Sequence, residues 1–511
     1  MDGILLFASP ACKNISSMVK LAAFKLIPPL DTYPKVVDFA QTVPGKILLL
    51  AVFSAGISFR IDGWPHLMAF IAVMTFLPRF RPALLTIATF GSLSLANWPI
   101  AEIPWPISQL QPAVPFFFKP LIVAAVLASF AAYYLTVKKN KEKWYAKQPI
   151  RNVLVVYILL LMAATNAPLT ALSAVYLWTF LAVLGKYLWF FNYTLLDRHA
   201  RETPHLALQA GYYAPFWGGS ATPFPKGAAY LRKIEARTPE QLAISQLKGV
   251  KLLYWALLLS LLEKLLQHLF YGTAAATPSF FGIPLSLGIP SFHAVLHAGG
   301  GQPYPWHINW LALIANFLMR LVWFSVWGHT IIACCRMAGY NALRNTYRPL
   351  QSASIAEFWN RFYYYFKELL VDNFFYPAFL RYFKKWPRLR LFFATMAAAC
   401  FGNILYHFLR DIGPIAEKGF WQALLSLRVY MFYALVLGIA ISLSQLYEKK
   451  NKNDMSWIRK NIITPVYVVG FYCILSIFDS ADTSLTMTDL FLFVLKLFNI
   501  HLRQGFAWTT E

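Results

Sequence analysis

The chain has 511 residues, of which 58% are hydrophobic, 17% aromatic and only 13% charged. Soluble domains carry about 25% charged residues, so an ordinary cytosolic enzyme, a disordered chain and a disulfide scaffold are all excluded and an integral membrane protein remains. The 46 basic and 22 acidic residues leave a formal charge of +24, which in so apolar a chain reads as basic loops facing anionic lipid, with no nucleic-acid partner.

The first residues, MDGILLFASP, place no basic residue before their apolar stretch and do not read as a cleaved signal peptide. Residues 14–30 predict an interfacial helix with two lysines, stopped by Pro28 and Pro29. A membrane span needs about 20 apolar residues. Runs of that kind lie near 46–61, 64–79, 83–100, 113–137, 151–167, 169–192, 250–272, 308–338, 391–409, 420–446, 461–479 and 485–500. The fold class is therefore an all-α polytopic membrane protein of about 11–12 transmembrane helices, with re-entrant and interfacial helices besides.

Basic residues orient these spans. Lys138, Lys139, Lys141, Lys143, Lys147 and Arg151 cluster in one loop. Arg381, Lys384, Lys385, Arg388 and Arg390 cluster in a second, and Lys449, Lys450, Lys452, Arg459 and Lys460 in a third. All three fall on one side of the predicted membrane, and residues 273–304, on the other, contain no charged residue. The positive-inside rule assigns the basic side, and both termini, to the cytoplasm. The chain shows no internal repeat, which argues against a secondary transporter built from two related halves.

The five cysteines, Cys12, Cys334, Cys335, Cys400 and Cys473, have no zinc or CxxC spacing. His293, His297 and His307 are spaced four and then ten apart in the outer segment, a pattern more often incidental than metal-binding, and no metal is expected. There is no GxSxG, no P-loop and no dinucleotide fingerprint.

Two stretches between spans are too apolar for simple loops. In 205–250, Gly218, Gly219, Pro223 and Pro225 demand turns. This stretch is either irregular backbone buried in protein or a peripheral loop on the headgroups. In 339–390, Ser354 followed by Glu357 forms a capping-box pattern. A helix from about 355 to 372 would align Glu357, Asn360, Arg361, Tyr364, Lys367 and Glu368 on one face, with Phe358, Phe362, Phe366 and Leu369 opposite. That helix either lies at the interface, with Glu357–Arg361 a solvated pair, or lines an entry for a charged substrate.

His407 sits in the next span, with Asn403 one turn earlier. Ionisable residues inside a membrane are functional candidates by default, although a neutral histidine is also a common core residue. His329, Glu263 and Lys264 raise the same question.

Several of these residues together resemble the signature of the membrane-bound O-acyltransferase family, most like its bacterial members that D-alanylate teichoic acid or acetylate alginate. The matching elements are Phe324-Ser325, Arg336-Met337-Ala338-Gly339-Tyr340, Asn345 to Pro349, Ser354 to Arg361, Asp372 to Pro377, and His407 in Ile404-Leu405-Tyr406-His407. The segment PFWGGSATPFPKGAAYLRKIE is similar to the family's re-entrant region, so the ordered match covers about 205–410. Three positions depart from the pattern: Tyr363 stands where the family's first His is found, Phe408 where a Gly follows the second, and His329 where an acidic residue is usual.

The resemblance implies a division into a cytoplasmic or interfacial segment (1–45), N-terminal transmembrane helices (46–192), a catalytic core (193–420) and C-terminal transmembrane helices (421–511). It implies an enzyme of a bacterial inner membrane that moves an acyl group from a cytoplasmic thioester to a hydroxyl of an envelope polysaccharide, glycolipid or relay protein. His407 would be the base, with Tyr363 and Asn360 as catalytic partners. Glu357, Trp359, Arg361, Tyr364, Lys367 and Asn403 would bind substrate. The donor would be acyl-CoA or an acyl-carrier phosphopantetheine, with no resident cofactor, and a periplasmic acyl-relay protein and membrane lipid would be partners. The alternative is a catalytically silent relative acting in envelope polymer export or as a scaffold.

Overall fold

A computed structural model of the chain describes residues 27–95, 118–168, 170–200, 205–212, 226–272, 286–298, 304–410, 412–447, 458–479 and 485–500. The principal helices, in chain order, are α1 (Pro34–Gln41), α2 (Val43–Ile57), α3 (Trp64–Phe76), α4 (Arg81–Leu95), α5 (Phe118–Lys139), α6 (Pro149–Asn166) and α7 (Ala171–Leu196). They continue with α8 (Ala228–Ile234), α9 (Pro239–Tyr271), α10 (Trp306–Met337), α11 (Ile355–Phe362) and α12 (Tyr364–Leu370). The last are α13 (Pro387–Met396), α14 (Asn403–Arg410), α15 (Arg428–Tyr447), α16 (Thr464–Leu475) and α17 (Met487–Leu497). Among the described residues the nearest approach to a strand is one isolated bridge, Glu235 to Tyr340.

This is an all-α polytopic membrane protein. Seven of its described helices are long and apolar enough to cross a membrane, or up to nine if each of two bent pairs counts as one span. The sequence predicts about twelve, and the difference has local causes. The expected spans 46–61, 64–79 and 83–100 are arms of two sharply bent elements. One turns by 97° between α1 and α2, and the other by 114° between α3 and the helix after it. Prolines stand at the start of the arms on both sides of each bend, where a missing N–H and a fixed φ favour a new helix over continuation of the old one. Thr42 caps α2 by accepting the Gly45 amide at 3.1 Å.

The expected span 485–500 contains only the 11 residues of α17. At 1.5 Å per residue these reach about half of a 30 Å hydrocarbon core. The expected span 250–272 is the second half of α9, a 33-residue helix that carries Glu263 and Lys264 in its apolar stretch. The proposed helix 14–30, most of the 205–225 turn region and most of 273–304 lie outside the described residues.

α9 and α10 form the longest packed pair. A Cβ on Gly249 would meet Ala333, Arg336 and Met337 at 3.1–3.2 Å, so the start of α9 lies beside the end of α10 and the two run antiparallel. Ser245 donates to Arg336 O at 2.8 Å and Gln246 to Met337 O at 3.1 Å, which anchors the turn that follows α10. That turn is the Arg336–Tyr340 element. Gly339 adopts φ +95°, and a Cβ there would come within 2.6 Å of the Arg81 guanidinium. Arg81 is 1% exposed. It donates to Met74 O and Ala236 O and lies 3.9 Å from Glu235. Only glycine satisfies both the backbone angle and the close approach.

The apolar interior has three main parts. One gathers α5–α7 around α14, another gathers α2–α4 with α8–α10, and a third gathers α10, α11, α15, α16 and α17. The α11–α12 segment touches all three. Trp359 and Phe362 belong to the third, Tyr365 to the second, and Leu369 and Leu370 to the first. The candidate site is built at that junction.

Candidate active site

The continuous helix expected over 355–372 is broken. Ser354 caps α11 as the pattern requires, accepting the Glu357 amide at 3.1 Å. The Glu357 carboxylate reaches back to the Ala353 amide at 2.8 Å, one residue before the cap. α11 then ends at Tyr363, whose φ of −127° and ψ of 60° leave the helical region. Asn345, from the preceding loop, takes over: its carbonyl accepts the Tyr364 amide at 3.1 Å and its side-chain oxygen the Tyr365 amide at 3.3 Å. Thr346 holds the other edge, donating to Phe362 O at 3.0 Å. Three backbone groups freed by the break thus find partners in one upstream loop. The single polar face is lost, and Tyr363 turns into an aromatic nest of Phe324, Trp359 and Phe362.

His407 lies in α14, behind a π-helical segment at Ala397–Gly402. A second π segment, Val371–Phe375, faces it. Gly402 makes the contact possible, since a Cβ there would meet the Phe374 ring at 2.5 Å. Each π segment inserts a residue and resets the helical phase. The His407 ring then lies against Tyr430 at 4.6 Å between centroids, with Tyr406 at 5.3 Å and Phe366 at 5.8 Å. Asn403 is fully buried one turn earlier and accepts the Tyr430 hydroxyl at 3.0 Å. Its amide nitrogen is buried without a hydrogen-bond partner. An unmet buried donor costs about 1–3 kcal/mol, and this one lies one helical turn from His407.

Tyr430 stacks on Tyr433 at 5.3 Å, and Tyr433 lines a cavity of about 40 Å³ together with Tyr363, Trp359, Ser476, Arg320 and Asp479. Arg320 and Asp479 pair across it at 2.5 Å. His407 and Tyr363 therefore share one region without touching: Phe366 and Trp359 separate them on one side, Tyr430 and Tyr433 on the other. Sequence reading missed Arg320, Asp479, Tyr430 and Tyr433. The signal for Arg320 was present, a lone charge within an apolar run. Its partner lies 159 residues away, beyond any helical spacing argument.

The other predicted residues serve different places. Trp359 and Asn403 are in the cluster. Glu357 and Arg361 pair with each other at 2.6 Å, and Arg361 also donates to Arg348 O, so together they fasten α11 to the loop before it. Asn360 is exposed and takes no part in the His407 cluster. Tyr364 lies under the Lys367 ammonium at 4.9 Å.

Lys367 pairs with Glu368, which belongs to a second, partly buried charge group. There Lys226 bonds Glu368 at 2.6 Å and Asp372 at 3.0 Å. Burial alone would lower the Lys226 ammonium, but Asp372 and Glu368 together hold it above the usual lysine range. Burial likewise pushes Glu368 up, and Lys367 and Lys226 overcome that push and hold it below the usual carboxylate range. For Asp372 burial prevails over Lys226, and its carboxyl is raised. His329 is buried in α10 and belongs to neither group. His293 and His297 lie ring to ring at 4.1 Å. Among the described residues no group of three His, Cys, Asp or Glu side chains is arranged to hold a metal ion.

No family model and no curated protein matches the chain.

Proposed function

We propose that the chain is a membrane-bound O-acyltransferase of a bacterial cytoplasmic membrane, with both termini on the cytoplasmic side. It carries an acyl group from acyl-CoA or an acyl-carrier phosphopantetheine to a hydroxyl of an envelope polysaccharide, glycolipid or periplasmic relay protein. The observation that carries the reading is the pairing of His407 with the unpartnered amide of Asn403 in one buried aromatic cluster. Acyl transfer to a hydroxyl needs a base for the departing proton and a donor for the oxyanion. In this reading His407 takes the acceptor's hydroxyl proton as the oxygen bonds the thioester carbonyl carbon. Asn403 Nδ2 donates to the oxyanion. As the carbon–sulfur bond breaks, the imidazolium returns the proton to the leaving thiolate, so no net charge is left in the apolar site. Tyr430, bonded to Asn403 and packed on His407, positions both.

In this reading the acceptor's hydroxyl enters the Arg320–Asp479 cavity, whose lining joins a charged pair to eight aromatic residues. Tyr363 is a positioning residue here, since a phenol is a poor base near neutral pH. The test is mass spectrometry of envelope glycans and lipids from cells lacking the gene, complemented with the wild type or with His407→Ala at equal membrane abundance. An acyl mass shift restored by the wild type alone supports the proposal and identifies acyl group and acceptor together. Restoration by both proteins removes His407 from catalysis. Recovery of polymer export by both, without any acyl difference, favours the silent relative.

A further inference from the structure

A cleft that shares no lining residue with the candidate site gathers positive charge, and Glu142, exposed in the same turn, does not line it. It lies where α5 ends and the chain turns through Asn140–Gln148 into α6, against the residues that follow α7. Lys138, Lys141, Lys147 and Arg198 line it, with His199, Val137 and Ala146, around a volume of about 150 Å³. Among the described residues no carboxylate lines it. Asp197 is the nearest acid in the chain after α7, and it is engaged elsewhere, accepting the Ala229 amide at 3.0 Å. Arg198 is fixed by a 2.6 Å bond to Leu195 O, and the Lys138 ammonium is 5.9 Å from the Tyr134 ring centre. Topology alone explains why lysines occur in this loop. It does not explain their convergence, with an arginine from a segment distant in sequence, on one cleft.

The surroundings fix the depth. Leu135, on the last turns of α5, is 54% exposed and Trp144 is 72% exposed. An exposed leucine followed within three turns by an exposed tryptophan and lysines marks the boundary between acyl chains and headgroups, where Trp is enriched. Basic pockets between transmembrane helices at that level bind anionic headgroups. A second basic cleft, lined by Lys248, Lys251, Arg336 and Arg344, differs in carrying a carboxylate. It includes Asp31, and its Arg336 guanidinium is already engaged, donating twice to Ala342 O.

We infer that the cleft between α5, α6 and α7 seats the phosphate of an anionic phospholipid, whose acyl chains lie along the exposed apolar face of α5. The test uses the full chain in detergent, exposed to phosphatidylglycerol or phosphatidylcholine and read by native mass spectrometry as lipid retained against dilution. Wild type retains phosphatidylglycerol in preference. The pair Lys138→Gln/Lys141→Gln weakens that retention on the order of tenfold, following the usual contribution of each lysine near a membrane surface. Lys138→Gln/Lys147→Gln, which also leaves Arg198 and its backbone bond intact, gives a similar loss and guards against a folding defect in the first pair. Lys248→Gln in the other cleft leaves retention unchanged. Equal retention of both lipids, or full retention by both double variants, overturns the inference. Displacement of the lipid by millimolar inorganic phosphate also overturns it, because the site would then be one for a soluble anion.

Discussion

The Arg81–Gly339 turn and the His407 cluster both bury polar groups among apolar helices, and they treat those groups differently. At the turn, Arg81 donates to two backbone carbonyls and approaches Glu235, while Ser245 and Gln246 bind the carbonyls at the end of α10. Those polar groups hold backbone, and the turn is a fastening, although among the described residues Arg81 Nη2 and Gln246 Oε1 are left unmet. In the His407 cluster the Asn403 amide nitrogen is unmet, and the nearby Arg320–Asp479 pair borders a cavity instead of backbone. Hydrogen-bonding capacity left open in an apolar interior costs stability. Both regions carry some of it, and what separates a site from a brace is the histidine and the cavity that adjoin the unmet group in the second.

The comparison can be broken most forcefully at the charge group next to the site. Lys226→Met would take from Asp372 its lysine partner and leave Glu368 with Lys367 alone, and loss of one partner of such a group costs about 3 kcal/mol. Thermal unfolding of the purified protein should show it as a lower midpoint, with Glu368→Gln/Asp372→Asn restoring part of the loss. Gly339→Ala comes next. Its φ of +95° disfavours any side chain, and the methyl group would press on a guanidinium that its own hydrogen bonds prevent from yielding. The expected destabilisation is about 2 kcal/mol, without a selective effect on the His407 cluster.

A pH series sharpens the same contrast. Glu368 is held below its ordinary value of 4.5. A depressed carboxylate contributes stability above its unfolded pKa, and that contribution is lost as pH falls through the folded pKa. The wild type should therefore lose part of its stability below pH 4.5, and Glu368→Gln should show a smaller decline over the same window. The smallest effect is expected at Asn360. It is exposed, so Asn360→Ala should change stability by less than about 0.5 kcal/mol and leave acyl transfer as it was. A large loss of transfer would mean that the outer face of α11 contacts substrate.

Membrane class and the long helices were legible because apolar runs of sufficient length admit few other solutions. The Ser354 cap was legible because capping is local. The break at Tyr363 was not, since nothing in Trp359–Lys367 forbids a helix. It depends on Asn345 supplying partners from 18 residues upstream. The bends in the first helices left a trace in Pro44, Pro65 and Pro78, which hydropathy averaging passes over. In the site, His407 and Asn403 could be paired from their spacing of four. Tyr430, Tyr433, Arg320 and Asp479 come from other elements, and only tertiary packing brings Tyr430 to His407 and the other three to the cavity. The family-like run from Glu357 to Arg361 carried the resemblance, yet two of its polar residues fasten the helix and a third is exposed.

The most direct measurement is thiol release from a short-chain acyl thioester by the purified protein in the presence of envelope extract, comparing wild type, His407→Ala and Asn403→Ala at equal folded fraction. The account predicts that His407→Ala lowers the rate on the order of 10³-fold, that Asn403→Ala lowers it on the order of 10²-fold, and that neither changes the unfolding midpoint enough to explain the loss. Thiol release at the wild-type rate by His407→Ala would contradict it.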